Sequence, residues 1–264
     1  MLLYGIMMIE MIKGCDMELE ISTLLFLLTV AFVAGFVDSI AGGGGILTIP
    51  ALLSVGIPPT FALGTNKLQA SFGSCAATFY YARRGMVSFR LLPILLVFCA
   101  SGVGSLCVQF VGNALLAKIV PFLLIAFGLY FLFSPKISAR ENAAQRYGWL
   151  VLTLGCIGFY DGFFGPGTGS FFLLALLVLG AYNMIGALAH AKLYNFCTNL
   201  ASILFFALLG NVLWSVGFVM AIGQFVGGYL GSKVAFTYGT RIIKPLIVSI
   251  SLLASLKLLI EQYL

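Results

Sequence analysis

Charged side chains lie inside apolar runs that are long enough to cross a membrane, among them Asp38, Lys67, Asp161 and Lys192. An ionised group in the hydrocarbon core is costly, so such residues pair with one another or face a water-filled cavity. In membrane proteins they mark substrate and ion pathways. We therefore take these four residues as the centre of a candidate transport site.

Lys192 is the more deeply placed of the two lysines. It lies roughly 14 Å from the start of the apolar run 183–208, too deep for its ammonium group to reach the membrane surface easily. Helical spacing places three polar residues on the same face, namely Asn195, Asn199 and Ser202. A cation flanked by amide donors predicts a binding site for a small anion. The alternative is a structural ion pair between Lys192 and Asp38 or Asp161.

Lys67 is the predicted counterpart of Lys192, with Asn66 directly beside it. It lies closer to the start of its own apolar run. We predict that Lys67 and Asn66 also contact the anion. The alternative is that the Lys67 side chain extends along its helix to the membrane surface.

Two glycine-rich breaks, 42–45 and 165–169, each follow one of the aspartates. A run of four glycines cannot sustain a helix, because each costs about 1 kcal/mol relative to alanine. Helix N-termini that follow such breaks present free N–H groups and a partial positive charge. The predicted anion contacts at the breaks are Gly43, Gly44, Gly167 and Thr168. Close helix packing is the alternative role for these small residues.

Asp38, Asp161 and His190 are candidate sites for a coupling proton or sodium ion. The two aspartates could instead neutralise the lysines or cap a helix end. His190 lies two residues before Lys192, off the face that carries the amides, and a single histidine of this kind is more often structural.

The motif around the aspartates occurs twice. Gly35-Phe36-Val37-Asp38 returns as Gly158-Phe159-Tyr160-Asp161, an offset of 123 residues (161 − 38). Lys67 returns as Lys192, an offset of 125 residues (192 − 67). An offset of this length is no solenoid period. It predicts one transmembrane domain, 1–264, built from two repeats at 18–134 and 148–264.

The composition excludes a soluble domain. Of the 264 residues, 61% are hydrophobic and 8% charged, whereas soluble chains carry about 25% charged residues. The net charge of +6 does not predict nucleic-acid binding, because the basic residues cluster in short loops between apolar runs. With one histidine and no C-x-x-C pair, no metal site is expected, and no cofactor.

These features predict an all-α polytopic membrane protein. Eight full transmembrane helices are expected, at 21–40, 61–82, 90–112, 115–134, 148–164, 183–208, 211–231 and 242–260. Two shorter segments, 46–56 and 169–180, follow the glycine breaks and read as half-helices. Crossing takes about 20 residues, so neither crosses as a full helix.

Loop charge predicts the orientation. Basic residues cluster near Arg83–Arg90, Lys136–Arg146 and Lys233–Lys244, and we expect these loops in the cytoplasm. If each short segment completes a crossing, each half has five segments, so the second half is inverted relative to the first and both termini lie outside. If the short segments are re-entrant, each half has four crossings.

A glycine ridge, Gly223, Gly227 and Gly231, recurs every four residues in the run 211–231. Small residues at this spacing let helices approach closely. The ridge predicts contact either between the two halves or between the protomers of a homodimer.

Together these motifs resemble the sulfite exporter TauE/SafE family of membrane permeases. The resemblance covers almost the whole chain and is carried by segments 38–45, Gly64-Thr65-Asn66-Lys67, 158–169 and 191–196. It implies a permease of the cytoplasmic membrane that moves sulfite, organosulfonates or related small anions, often outward. The second break differs from the commoner glycine-rich form at Pro166 and Thr168.

We predict a transporter of small anions that works by alternating access, with the lipid bilayer and the anion as its partners. Two alternatives are a passive anion channel and a transporter of a cation or neutral metabolite that uses the aspartates. An intramembrane protease is the enzymatic alternative, since Tyr160-Asp161 resembles half of an aspartyl site and Ser170 with His190 could form a dyad. The partner motif Gly-x-Gly-Asp is absent, so no enzyme is expected.

Overall fold

The computed structural model describes residues 19–133 and 147–238. Within these ranges the chain forms nine helices and no strand. The helices are α1 (Ile21–Ala41), α2 (Gly44–Ser54), α3 (Pro59–Ala82), α4 (Leu91–Gln109), α5 (Asn113–Phe133), α6 (Tyr147–Phe163), α7 (Thr168–Val178), α8 (Met184–Leu208) and α9 (Trp214–Tyr238). The all-α prediction is confirmed for this part of the chain. The predicted helix 242–260 and the basic loop 136–146 lie outside the described residues.

Four of these helices, α1, α4, α8 and α9, are long and apolar enough to cross a membrane. Large apolar side chains are exposed on the outside, among them Phe79, Phe110 and Ile222, while many polar side chains are buried inside. This distribution is what a lipid environment favours. The chain is therefore a multi-pass membrane protein, and the count of eight full crossings stays a prediction.

Helix α3 has the length of a membrane span but not the apolarity, because it carries polar residues along its buried face. These are Asn66, Lys67, Gln69, Ser71 and Ser74, all at most 5% exposed. A helix can carry such a face through lipid only if the face is turned toward protein. Helix α3 accordingly lies at the centre, packed against α8, α9 and α2.

The two predicted short helices are present and follow the glycine breaks. Helix α1 ends at Ala41 and is capped by Gly42, which has a φ of +80° and donates its N–H to the Asp38 carbonyl oxygen at 2.7 Å. Glycine adopts this left-handed conformation without steric cost. Helices α2 and α7 each have 11 residues, roughly 16 Å of helix, which is about half a bilayer core.

The packing partners of the two halves form matched pairs. Helix α1 packs on α9, and α6 packs on α4. Likewise α3 packs on α9, and α8 packs on α4, while α3 and α8 contact each other. The first helix of each half therefore lies against the fourth helix of the other half, so the halves interlock around α3 and α8.

The glycine ridge packs α9 against α1. A Cβ atom on Gly227 would lie 2.0 Å from the Phe32 carbonyl oxygen, and one on Gly231 would lie 2.3 Å from that of Phe36. Only glycine permits backbones this close. Of the two contacts predicted from the ridge, the structure shows the one between halves, and the homodimer stays a prediction.

Candidate functional site

Two buried ion pairs form the centre of the molecule. Lys67 Nζ lies 2.8 Å from Asp161 Oδ1, and Lys192 Nζ lies 2.8 Å from Asp38 Oδ2. Each ammonium group also donates to the backbone carbonyl oxygen of the same aspartate. Each pair thus joins the lysine of one half to the aspartate of the other.

Neither lysine extends to a surface. Lys67 is 1% exposed and Lys192 is fully buried. The alternative that Lys67 reaches the membrane surface is therefore wrong in this structure. The structural ion pair that the sequence offered as the alternative role of Lys192 is present, and its partner is Asp38 rather than Asp161.

The helix ends explain why the ammonium groups are held here. Asp38 lies in the last turn of α1, and Asp161 lies in the last turn of α6. A carboxylate at a helix C-terminus is opposed by the partial negative charge of that end. Each lysine offsets this repulsion, because its ammonium group contacts both the carboxylate and the backbone oxygen of that turn.

The two glycine breaks meet at the same place. A Cβ atom on Gly42 would lie 2.2 Å from the Ser170 backbone nitrogen and 2.4 Å from the Gly169 carbonyl carbon. Ser170 Oγ donates to the Ala41 carbonyl oxygen across this contact. The breaks predicted from two distant segments are therefore in direct backbone contact.

Both lysines lie against the second break. A Cβ atom on Gly165 would be 2.8 Å from Lys67 Nζ, and one on Gly169 would be 3.3 Å from Lys192 Nζ. The small residues thus leave room for two ammonium groups beside the start of α7. Besides allowing close helix packing, the glycines of the second break therefore leave space for the lysine ammonium groups.

The starts of the short helices already contact carboxylates. The Gly44 N–H, at the first residue of α2 after the N-cap Gly43, donates to Asp38 Oδ1 at 3.1 Å. Thr168, the first residue of α7 after the N-cap Gly167, donates its hydroxyl to Asp161 Oδ1 at 3.0 Å. In this structure the two aspartates therefore occupy the helix N-termini predicted to bind an anion.

The predicted amides lie close to the breaks or on the adjoining face of α8. Asn66 Oδ1 accepts hydrogen bonds from Thr48 Oγ1 at 2.6 Å and Gln69 Nε2 at 2.9 Å. A Cβ atom on Gly45 would lie 3.6 Å from Asn66 Nδ2, which places this amide nitrogen beside the first break. On α8, Asn199 Nδ2 donates to Asn195 Oδ1 at 3.0 Å, and both residues are buried.

Two predicted residues bond elsewhere. Ser202 shares a hydrogen bond of 2.8 Å with Ser101 on α4. His190 contacts the Gly186 carbonyl oxygen through Nδ1 and Ser88 through Nε2. His190 therefore ties the loop before α4 to α8, and no hydrogen bond joins it to the four charged residues.

The serine dyad of the protease alternative is not formed. Ser170 Oγ bonds to the Ala41 carbonyl oxygen, while the two nitrogens of His190 contact Gly186 and Ser88. The serine is therefore not activated by a histidine base, as nucleophilic catalysis would need.

Sequence reasoning missed two buried polar residues, Thr198 and Gln224, and a third buried amide, Gln69, lies beside Asn66 on α3. Thr198 Oγ1 donates to Asp161 Oδ2. Gln224 is a buried amide on α9, and a polar residue within a membrane-spanning helix is itself a signal of function or internal bonding. The side-chain oxygens of Gln69 and Gln224 have no hydrogen-bond partner among the described residues.

The four charges of the site cancel in pairs, so an ammonium group becomes available only when a pair opens. Once released, Lys192 would offer a cation beside two helix N-termini in a water-poor interior. Electrostatic attraction is stronger there than in water. The arrangement can therefore bind a small anion by exchange with a carboxylate.

Comparison with known proteins places the chain among membrane transporters. The family model described as sulfite exporter TauE/SafE matches residues 27–258. The chain is 48% identical over 238 residues to the probable membrane transporter protein YfcA of Escherichia coli K12, covering 89% of this chain and 88% of that protein. It is 47% identical to a probable membrane transporter protein of Haemophilus influenzae, over 93% of this chain and 98% of the relative. No solved structure matches the chain.

Proposed function

Because this chain belongs to the TauE/SafE family of sulfite exporters, we propose that it carries a small anion across the cell membrane by alternating access. The proposed substrates are sulfite, an organosulfonate or a related sulfur-containing or carboxylate anion. The observation that carries the proposal is the pair of buried lysines beside the two meeting glycine breaks.

The surroundings of the lysines support an anion as the substrate. The predicted contacts are Lys192 and Lys67, the amides Asn66, Asn195 and Asn199, and the helix starts at Gly43, Gly44, Gly167 and Thr168. All these groups are donors of hydrogen bonds or carry positive charge. A buried charge-assisted hydrogen bond is roughly twice as strong as a neutral one, which favours a compact oxyanion.

Alternating access is supported by the interlocked halves. Each ion pair joins the lysine of one half to the aspartate of the other, and the packing partners of the halves match. Inverted repeats rocking about a central site provide this type of transport. We propose the inner, cytoplasmic membrane as the location, with Asp38 and Asp161 as the groups that couple transport to a proton or sodium ion.

A cation or neutral metabolite remains the second candidate substrate. The observation in its favour is Gln69 Oε1, a buried acceptor without a partner in the described part of the chain and one hydrogen bond away from Asn66. Oxygen acceptors of this kind suit a sodium ion or a hydroxyl donor. The abundance of donors and two ammonium groups still favours the anion.

The experiment is a thermal-shift screen of the purified protein in detergent against sulfite, thiosulfate, sulfate, ethanesulfonate and acetate. Sodium gluconate keeps the ionic strength constant. We expect at least one sulfur oxyanion to raise the melting temperature, since a ligand stabilises the folded state it binds. A melting temperature that none of these anions raises would contradict the proposal, and a rise in a parallel titration with a cation would favour the second candidate.

Uptake into reconstituted vesicles then separates transporter from channel. The anion that binds should show flux that saturates with concentration and responds to a proton or sodium gradient. Flux that rises linearly and ignores both gradients would identify a passive anion channel instead.

A further inference from the structure

The two ion pairs differ in how tightly the carboxylate is enclosed. The side chain of Asp161 is 2% exposed, whereas that of Asp38 is 14% exposed. The lysines do not differ in this way, because both are almost completely buried. The difference between the halves therefore lies in the surroundings of the two aspartates.

Both oxygens of Asp161 are held by side chains. Oδ1 accepts from Lys67 Nζ at 2.8 Å and from Thr168 Oγ1 at 3.0 Å, and Oδ2 accepts from Thr198 Oγ1. The backbone of Thr198 is itself fixed, since its carbonyl oxygen accepts from Ser101 Oγ at 2.8 Å. Separating this carboxylate from its lysine would be costly, because the carboxylate is shielded from water and could not replace the hydrogen bonds it lost.

Asp38 has fewer partners. Oδ2 accepts from Lys192 Nζ at 2.8 Å, and Oδ1 accepts from the Gly44 N–H at 3.1 Å. Gly44 begins α2 as Thr168 begins α7, and it offers no hydroxyl. Gly73, at the offset of 125 residues that relates Lys67 to Lys192, corresponds to Thr198 and packs against Gln224 instead.

The partners of Asp38 are those that a small oxyanion would use. They are an ammonium group and the N–H at the start of an 11-residue helix. Lys192 also lies beside Gly169 of the second break, where a Cβ atom would be 3.3 Å from its ammonium nitrogen. An anion that reached Lys192 would therefore compete with Asp38 for both groups.

We propose that the two ion pairs have different roles. The Lys67–Asp161 pair stays closed during transport and holds α3, α6, α7 and α8 together, so this proposal narrows the anion contacts and coupling groups proposed above by leaving out Lys67 and Asp161. The Lys192–Asp38 pair opens, and the transported oxyanion replaces the Asp38 carboxylate on Lys192 and the Gly44 N–H. The replacement by substrate rests on the proposed function, whereas the inequality of the two pairs does not.

The test compares Asp38→Asn with Asp161→Asn in the purified full-length protein, with thiosulfate as the probe and sodium gluconate as the ionic-strength control. Each substitution leaves one buried lysine without its carboxylate, so both variants should melt at a lower temperature. We expect thiosulfate to restore the melting temperature of Asp38→Asn and to bind it at least tenfold more tightly than the wild type. Thiosulfate should not rescue Asp161→Asn.

Two further variants keep the test decisive if Asp161→Asn fails to fold. Thr198→Val removes one donor to Asp161 with little change in shape, and it should lower the melting temperature without changing thiosulfate affinity. Adding Lys192→Gln to Asp38→Asn should abolish the rescue. Equal rescue of the two aspartate variants, or no rescue of a folded Asp38→Asn, would overturn the proposed difference between the pairs.

Failure of the proposed function would look different. If the wild type neither binds nor transports these anions, the proposed function is wrong. The inequality of the pairs is tested without substrate, by the loss of melting temperature in Thr198→Val compared with Ser71→Ala. Ser71 is a matched control because its buried hydroxyl on α3 bonds only to its own helix. If Thr198→Val lowers the melting temperature no more than Ser71→Ala does, the proposal that the Lys67–Asp161 pair stays closed is wrong.

Discussion

Lys192 combines complete burial with a single carboxylate partner, Asp38. Replacing a buried ion pair by well-packed apolar residues is often neutral or stabilising. The presence of such a pair therefore does not by itself indicate that its role is to stabilise the fold. Its position beside both glycine breaks argues for a role in binding. At the residue scale, the question is therefore what happens when only the charge is removed.

Lys192→Gln keeps most of the side-chain length and loses the charge. We expect affinity for the transported anion to fall tens- to thousands-fold, about 2–5 kcal/mol, because the variant lacks the cation that pairs with a desolvated anion. Lys192→Arg should weaken binding less, since it keeps the charge in a different shape. Isothermal titration with the anion found in the thermal-shift screen measures both.

Lys233→Gln is the matched control, because Lys233 is exposed on α9 and lies outside the site. It should bind the anion like the wild type. Normal affinity in a folded Lys192→Gln variant would remove Lys192 from the binding site. If Lys192 serves only to neutralise Asp38, then Lys192→Gln should lose stability, and adding Asp38→Asn rather than Asp161→Asn should restore it.

At the scale of the elements, the two breaks lie in direct backbone contact. Gly42 has a left-handed φ of +80° and lies against Gly169 and Ser170. The conformation and the contact are separate constraints. Gly56 has a φ of +82°, but a Cβ atom there would meet nothing within 4 Å.

Gly42→Ala and Gly56→Ala separate these two constraints. Gly56→Ala should cost about 1–2 kcal/mol, the penalty for a side chain in the left-handed region. Gly42→Ala carries the same penalty plus a backbone overlap that no rotamer change can relieve, so its loss should be clearly larger. Melting temperature and folded yield in detergent measure both variants, and similar losses would show that the breaks do not meet as described.

At the scale of the whole molecule, hydrogen bonds between loops support the predicted orientation. Asn211 Nδ2 donates to Gln109 Oε1 at 2.8 Å, which places the uncharged loops 110–112 and 209–213 on one side of the protein. Ser88 contacts His190 near the start of α8, which places the basic loop 83–90 beside the loop 179–183. Loop charge predicts that the basic loop 83–90 is cytoplasmic and the uncharged loops are outside, and five crossings per half would place the loop 179–183 on the cytoplasmic side as well.

Accessibility of single engineered cysteines tests this orientation. Cysteines placed in loops 83–90 and 179–183, in a background without native cysteines, should react with a membrane-impermeant thiol reagent only after the cells are opened. Cysteines in loops 110–112 and 209–213 should react in intact cells. Labelling of loop 83–90 from outside would contradict the inverted arrangement of the two halves.

Much of this architecture was predictable from local patterns in the chain. Apolar runs placed the described helices to within three residues at each end, except that α9 continues to Tyr238, seven residues past the predicted end at 231. The glycine runs placed the starts of α2 and α7. Asp38 and Lys192 were recognisable because a charge in an apolar run is rare and costly. These signals depend on a residue and its near neighbours, so the sequence by itself determined the helices, the breaks and the charged centre.

Only the tertiary structure decided which groups meet. The partner of Lys192 lies 154 residues away and that of Lys67 lies 94 residues away. The same packing gives Asp161 the hydroxyl of Thr198 and turns His190 and Ser202 toward other partners. The physical reason is that helical spacing shows which residues share a face of a helix but not which neighbouring helix that face contacts. The contact depends on how closely the helices pack. Here the glycines on α9 and in the breaks set the distance between the helices.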